Sequence, residues 1–113
     1  MTFLKRRSVM VAGLTAALLM VGAAASEAAT TRYYSVAPGY ELNVRSGPGT
    51  AYSVVRVLPE GSKVPIYCQT PGSTVTGPYG TSNIWDNVSN GQYVSDAYIN
   101  TGSDGYVADR CSN

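Results

Sequence analysis

The chain has 113 residues, of which 13% are charged, with two cysteines, no histidine and a formal charge of +1 at pH 7. This length suits a single domain, and the nearly balanced charge gives no case for a nucleic-acid-binding surface. The absence of histidine excludes Ser-His and Cys-His catalytic dyads and histidine-bound zinc. We therefore expect a protein that is not an enzyme and that uses neither a cofactor nor a metal.

The N-terminal 28 residues have the pattern of a secretory signal peptide. Lys5, Arg6 and Arg7 precede an uncharged stretch at residues 9–25, which ends in small residues suited to cleavage after Ala25 or Ala28. An uncleaved membrane anchor is the alternative, but the stretch is rich in Ala and Gly and poor in the Leu, Ile and Phe of stable spans. We expect a secreted, extracellular protein with no stable membrane insertion after cleavage.

The predicted mature domain comprises residues 29–113. Loss of the three basic residues of the signal peptide and of Glu27 leaves five positive and six negative groups, a net charge of −1. Cys68 and Cys111 both lie in this part, and export brings them into an oxidising compartment. Two cysteines allow only one pairing, so we predict the disulfide Cys68–Cys111. Two separate buried thiols are the alternative.

From Thr30 onward, the chain has the pattern of short strands rather than helices. No segment repeats apolar residues at i, i+3 and i+4 over three turns, as an amphipathic helix would. Leu42 and Val44 alternate with Asn43 and Arg45, which places the two pairs on opposite faces of a strand. The β-rich runs are residues 33–36, 40–45, 54–58, 63–68, 84–88, 92–94 and 106–108.

Turn-forming residues separate these runs. Pro65 predicts a sheet edge or a bulge within its run. Residues 69–83 are rich in Thr, Gly, Pro and Ser and are predicted to form a long loop, and residues 101–105 a turn. Asn90-Gly91 is predicted to turn a hairpin, because both residues tolerate a positive φ. The predicted fold class is all-β, a small barrel of five to six strands, since closure removes exposed sheet edges.

Residues 42–52, with the sequence LNVRSGPGTAY, resemble the opening of bacterial SH3 (SH3b) domains. The resemblance continues through residues 54–64, and residues 85–88 (WDNV) and 93–99 (YVSDAYI) are similar to the later strands of that family. Gln92 and Tyr93 stand where the family has Gly and Trp. The resemblance covers residues 33–111 and implies an SH3-like barrel that serves as a cell-envelope binding module.

The aromatic composition indicates a ligand groove. The mature domain has nine Tyr, one Trp and no Phe, and Tyr and Trp suit surfaces where one side of the ring packs and the other meets a polar ligand. The rigid Gly47-Pro48-Gly49 turn is expected to wall the groove. On the elements that border the groove in SH3-like barrels, the candidate ligand-binding residues are Tyr40, Asn43, Arg45, Tyr52, Trp85 and Tyr98.

Each candidate also has a structural interpretation. A barrel this small exposes the edges of most of its aromatic rings whether or not they bind a ligand, and Asn43 and Arg45 can satisfy loop carbonyls instead of a ligand. Six carboxylates remain in the mature domain, and none lies in an apolar run that would raise its pKa, which disfavours catalysis.

Two partners fit the resemblance. It implies recognition of peptidoglycan, either its glycan or its peptide, or of another cell-wall polymer. The alternative is a small secreted interaction factor or inhibitor that binds a secreted protein through the same groove. No nucleic-acid partner is expected.

Overall fold

The computed structural model describes residues 30–112, so the predicted signal peptide at residues 1–28 lies outside the described residues. Within this range, the regular structure is β-strand apart from a short 3-10 turn, Asp96–Tyr98, and no helix is long and apolar enough to cross a membrane. The all-β prediction is confirmed, with eight strands instead of five to six. They are β1 (Tyr33–Val36), β2 (Leu42–Arg45), β3 (Val54–Leu58), β4 (Lys63–Pro65), β5 (Cys68–Gly77), β6 (Gly80–Ser89), β7 (Gln92–Ser95) and β8 (Ile99–Asn100).

Five strands form an antiparallel sheet in the order β3-β2-β7-β6-β5. β2 lies between β3 and β7, and its Leu42 is opposite Leu58 of β3. Leu42 and Val44 are buried while Asn43 is exposed, which confirms the predicted alternation. One face of β2 therefore serves the core, and the other is free to line a surface site.

The other three strands form a second antiparallel sheet in the order β4-β1-β8. Val36 of β1 pairs with Ile99 of β8, and Tyr33 pairs with Pro65 of β4. Pro65 thus lies on an edge strand, as predicted, because it has no N–H to donate to a further neighbour. The 3-10 turn lies between β7 and β8 and so carries the chain from the first sheet to the second.

The hydrophobic core draws its side chains from both sheets. β-Branched and leucine side chains dominate it, which suits strands that bury one face. Tyr34, Tyr98, Val107 and Ala108 pack around it and are partly buried. The core comprises Val36, Leu42, Val44, Leu58, Val64, Ile66, Val88, Val94 and Ile99.

The prediction of a long loop over residues 69–83 is wrong, because β5 and β6 form a long hairpin there. β5 is an edge strand, which tolerates Pro71. The register shifts between Pro71 and Val75, so a bulge accommodates the Pro-Gly-Ser-Thr segment. Gly80 begins β6 at the hairpin turn with a φ of +114°, a value that favours glycine. Turn-forming composition therefore does not prevent a strand where a neighbouring strand provides the hydrogen bonds.

The Asn90-Gly91 hairpin is confirmed. The two residues connect β6 to β7, and Gly91 has a φ of +69°. The Asn87 side chain reinforces the turn, since its Nδ2 donates to the carbonyl oxygens of Ser89 (2.9 Å) and Gln92 (3.3 Å).

At the end of the chain, the prediction of a last strand is wrong and the prediction of a disulfide is confirmed. Residues 106–108 do not form the expected last strand; in this region the structure has an isolated parallel bridge between Gln69 and Arg110. A side chain takes the place of a partner strand, because Gln69 Oε1 accepts hydrogen bonds from Val107 N and Ala108 N. The disulfide Cys68–Cys111 is confirmed, with an S–S distance of 2.01 Å and a Cα–Cα distance of 4.9 Å.

Candidate functional site

A groove of about 310 Å³ opens beside the outer face of β2. The structure brings four of the six sequence-predicted candidates together along it, namely Tyr40, Asn43, Arg45 and Tyr98. They come from the segment before β2, from β2 itself and from the 3-10 turn. The groove thus forms where the fold brings distant parts of the chain together.

Tyr40 and Tyr98 form the aromatic part of the groove. Their ring centroids are 5.5 Å apart, with the planes inclined by 70° in an edge-to-face arrangement. Backbone hydrogen bonds link the two segments, since Ala37 N donates to Tyr98 O at 2.9 Å and Tyr40 N donates to Ala37 O at 3.3 Å. Tyr98 packs on the core, whereas Tyr40 is 43% exposed. Tyr40 therefore offers the more accessible ring to a ligand.

Arg45 lines the groove and also holds its wall. Its Nη1 donates to the carbonyl oxygens of Thr50 (3.2 Å) and Tyr52 (3.0 Å). This contact satisfies loop carbonyls, as the structural interpretation of Arg45 required, and it leaves other guanidinium donors for a ligand. Asn43, on the same face of β2, is exposed. The two residues place polar donors next to the aromatic pair.

The loop after β2 is shaped by glycine and by Tyr52. The Tyr52 ring covers Gly47 so closely that a Cβ at this position would clash with it. Thr50 N donates to Ser73 Oγ at 3.1 Å, which ties the loop to β5. Tyr52 is 49% exposed but does not line the groove. The loop is therefore a well-supported wall, and a ligand contact by Tyr52 stays a prediction.

Trp85 occupies a structural position outside the groove. Its side chain is 2% exposed, and Nε1 donates to Ser73 O at 2.9 Å within the bulge of β5. Gly72 in the same bulge lies against the indole and against the carbonyl of Pro48. With no ring face open to a ligand, the structure gives no support to the expectation that Trp85 contacts one. Its indole instead joins β5 to the Gly-Pro-Gly loop.

The groove includes residues that the sequence analysis did not single out. Val75 comes from β5, in the stretch predicted to be a loop, so its position could not be foreseen. Ser95 ends β7, and its Oγ accepts a hydrogen bond from Ala97 N at 3.2 Å, which caps the 3-10 turn that carries Tyr98. Glu41 and Thr50 adjoin predicted residues in sequence.

A second polar cluster is buried away from solvent and comprises Gln69, Asp86 and Asp96, here called the buried carboxyl cluster. Gln69 Nε2 donates to Asp86 Oδ1 at 2.7 Å and, more weakly, to Asp96 Oδ1 at 3.5 Å. Burial, followed by the hydrogen bond and the charge of Asp96, raises the pKa of Asp86 to about 9. Burial also raises the pKa of Asp96. The expectation that no carboxylate has a raised pKa is therefore wrong.

The carboxylates do not assemble into a metal site in the described part of the chain. There, no three Cys, Asp or Glu side chains come together as ligands. The paired carboxyls also lack an open substrate cleft, since Asp86 is fully buried.

The domain matches known sequences over most of its length. The family model described as "Bacterial SH3 domain" matches residues 41–111. The chain is 43% identical to uncharacterized protein YraI of Bacillus subtilis (strain 168), with 99% of each chain covered. It is 47% identical to uncharacterized protein YraJ of the same organism, with 77% of this chain and 82% of YraJ covered. The chain belongs to the bacterial SH3 domain family, a family of binding modules.

Proposed function

We propose that this domain is exported and binds the bacterial cell wall, at the glycan or the peptide of peptidoglycan, through the groove beside β2. One observation carries the proposal: the groove joins the aromatic pair of Tyr40 and Tyr98 to the polar side chains of Asn43 and Arg45. Aromatic rings stack on sugars and on flat peptide units, and the amide and guanidinium provide hydrogen bonds. Membership of the bacterial SH3 family supports the assignment, since its modules often bind cell wall.

The charge of the groove indicates how it would bind. Glu41 and Arg45 give its lining one acidic and one basic side chain, so no net charge attracts a polymer. Affinity would come from stacking and hydrogen bonds, which salt screens far less than long-range charge attraction. The proposed contacts are Tyr40, Asn43, Arg45 and Tyr98, without Trp85.

Sedimentation with purified cell walls tests the proposal. The protein should pellet with the walls, and Tyr40→Ala should weaken binding by about 1 kcal/mol or more if the ring is a central contact. Tyr67→Ala is the matched control, because Tyr67 is 55% exposed and does not line the groove. Binding by the wild type should change little when salt is added.

Three outcomes would contradict, in turn, wall binding, the groove as its site and stacking as its mechanism. A folded protein that stays in the supernatant would contradict it and would favour the alternative of a protein partner for the groove. Equal binding by Tyr40→Ala and Tyr67→Ala would show instead that walls are bound elsewhere on the surface. A steep loss of binding with salt would contradict the stacking mechanism.

A further inference from the structure

The buried carboxyl cluster is connected to the end of the chain through Gln69. Besides its bonds to the two carboxyls, the Gln69 side chain accepts hydrogen bonds at Oε1 from Val107 N (2.7 Å) and Ala108 N (2.9 Å). All polar atoms of this fully buried side chain are thus engaged. The Gln69 side chain therefore links the two carboxyls to the backbone of residues 107 and 108.

The backbone of Gln69 holds the same segment. Its N–H donates to Asp109 O at 2.8 Å, and its carbonyl accepts from Cys111 N at 2.9 Å. The Arg110 guanidinium lies 3.5 Å from the centroid of the Tyr106 ring. We call residues 106–111 the C-terminal strap; besides the disulfide at Cys111 and the packing of Val107 and Ala108 on the core, it is held by hydrogen bonds to Gln69.

The geometry of the carboxyl pair calls for a proton. Asp86 is fully buried, and its Oδ2 has no hydrogen-bond partner among the described residues. Asp96, 4% exposed, is the charged neighbour that acts on it. Two ionised carboxylates at this depth would repel each other without solvent to screen them. A proton on Asp86 Oδ2 removes the repulsion and turns an unpaired acceptor into a donor toward Asp96.

Several elements pack around Asp86 and Asp96. β6, which carries Asp86, pairs with β5 and β7 and contacts the 3-10 turn and β4. The strap reaches the pair through Gln69. The other titratable or charged side chains on these elements are Lys63, Tyr93, Tyr98, Tyr106, Asp109 and Arg110, of which Lys63, Asp109 and Arg110 are exposed. Two further titratable side chains, Tyr79 and Asp104, line a small cavity together with Asp96.

We propose that Asp86 and Asp96 share one proton and that loss of this proton loosens the C-terminal strap, so that alkaline solution weakens the hold of the domain on its own chain end. When both carboxyls ionise, they must separate or admit water. The Gln69 side chain is hydrogen-bonded to both carboxyls, and it cannot keep both bonds when the carboxyls move apart. Its hydrogen bonds to Val107 N and Ala108 N are therefore the first contacts to break.

The pH dependence has a defined sign. The pKa of Asp86 is raised on folding from its ordinary value near 4 to about 9, so the folded state binds this proton more tightly than the unfolded state. The stabilisation is complete below the ordinary pKa and is lost as pH rises toward the folded pKa. The raised pKa of Asp96 acts in the same direction. The domain should therefore be more stable at pH 5 than at pH 9.

Thermal unfolding of the disulfide-bonded protein between pH 5 and pH 9 tests the sign. The wild-type melting temperature should fall by about 20 °C or more over this range. Asp86→Asn replaces the protonated acid by a neutral amide of the same shape that can still donate, so its melting temperature should fall much less, with only Asp96 of the pair left to titrate. Glu60→Gln, at an exposed carboxyl in the turn between β3 and β4, is the control and should follow the wild type.

Strap loosening needs a readout of its own. Reduction of the Cys68–Cys111 disulfide by a water-soluble phosphine should become faster from pH 6 to pH 9. This increase in rate should be roughly tenfold larger in the wild type than in Asp86→Asn, because the open strap exposes the sulfurs. The amide signals of Val107 and Ala108 should shift with the same midpoint.

Three results would overturn the proposal. One is a wild-type melting temperature that is flat or rising from pH 5 to pH 9, and another is an equal fall in Asp86→Asn. The third comes from the wild type alone, so it holds even if the variant does not fold: a ¹³C titration of the Asp86 carboxyl with its midpoint below pH 6. None of these measurements depends on whether the groove binds cell walls.

Discussion

The groove and the buried carboxyl cluster are both polar, but they use their polar groups in opposite ways. In the groove, Asn43 is exposed and Arg45 commits part of its guanidinium to the loop wall, so hydrogen-bonding capacity remains for a ligand. In the interior, Gln69 uses every side-chain donor and acceptor within the protein, and Asp86 needs a proton to do the same. Polar groups with unused hydrogen-bonding capacity indicate a binding surface, whereas polar groups whose hydrogen bonds are all made within the protein stabilise the fold.

The comparison predicts that interior substitutions change stability without changing affinity, and Trp85→Ala should show the largest effect. Removing a 2% exposed indole leaves a cavity and an unpaired carbonyl at Ser73. We expect a loss of about 3–5 kcal/mol in the free energy of unfolding. Denaturant unfolding measures the loss, and wall sedimentation of the folded fraction should match the wild type. Reduced affinity in a folded Trp85→Ala protein would mean that the interior and the groove are not separable.

Loss of the disulfide should cost somewhat less. Cys68→Ser opens a link between residues 43 positions apart, and we expect a loss of about 2–5 kcal/mol. The double variant Cys68→Ser/Cys111→Ser should lose a similar amount, since the effect belongs to one cross-link. Thiol titration of the native protein should find no free thiol. Two reactive thiols would contradict the bridge on which the strap depends.

Gly47→Ala should lower the free energy of unfolding by a smaller amount. Gly47 lies in the loop that walls the groove. A methyl group there meets the Tyr52 ring, so we expect overpacking to cost about 1–3 kcal/mol. Gly105→Ala is the control, because a Cβ there has only a 3.9 Å contact with Ser103 Oγ. Adding Tyr52→Ala should restore part of the loss, which a double-mutant cycle measures. Additive effects would show that the ring does not shape the loop that walls the groove.

The parts of the fold that sequence patterns predicted are those governed by local physics. Alternation in β2 places Leu42 and Val44 inside because successive side chains of a strand point to opposite faces. The Asn90-Gly91 turn follows from the positive φ that its second residue adopts. Two cysteines in one domain have a single possible intramolecular pairing, and that pairing is present.

The parts that could not be predicted depend on partners distant in sequence. Residues 69–83 have turn-forming composition, and they form strand because β6 lies alongside them and a bulge absorbs the Pro-Gly segment. Val75 reaches the groove only through that hairpin. The burial of Trp85 depends in the same way on Ser73 and Gly72, which fold over it.

The sequence by itself determined the all-β class, the SH3-like motif at residues 42–52 and the only possible disulfide pairing. It also named Tyr40, Asn43, Arg45 and Tyr98 among six candidates for the groove, although the fold brings them together. Only the tertiary structure decided which polar residues face solvent and which become buried. Asp86 has an ordinary acidic side chain in the sequence, and its raised pKa arises first from burial and then from Asp96, a residue 10 positions away that the 3-10 turn brings into contact with it. Burial and charge coupling act through space, so no local pattern could reveal them.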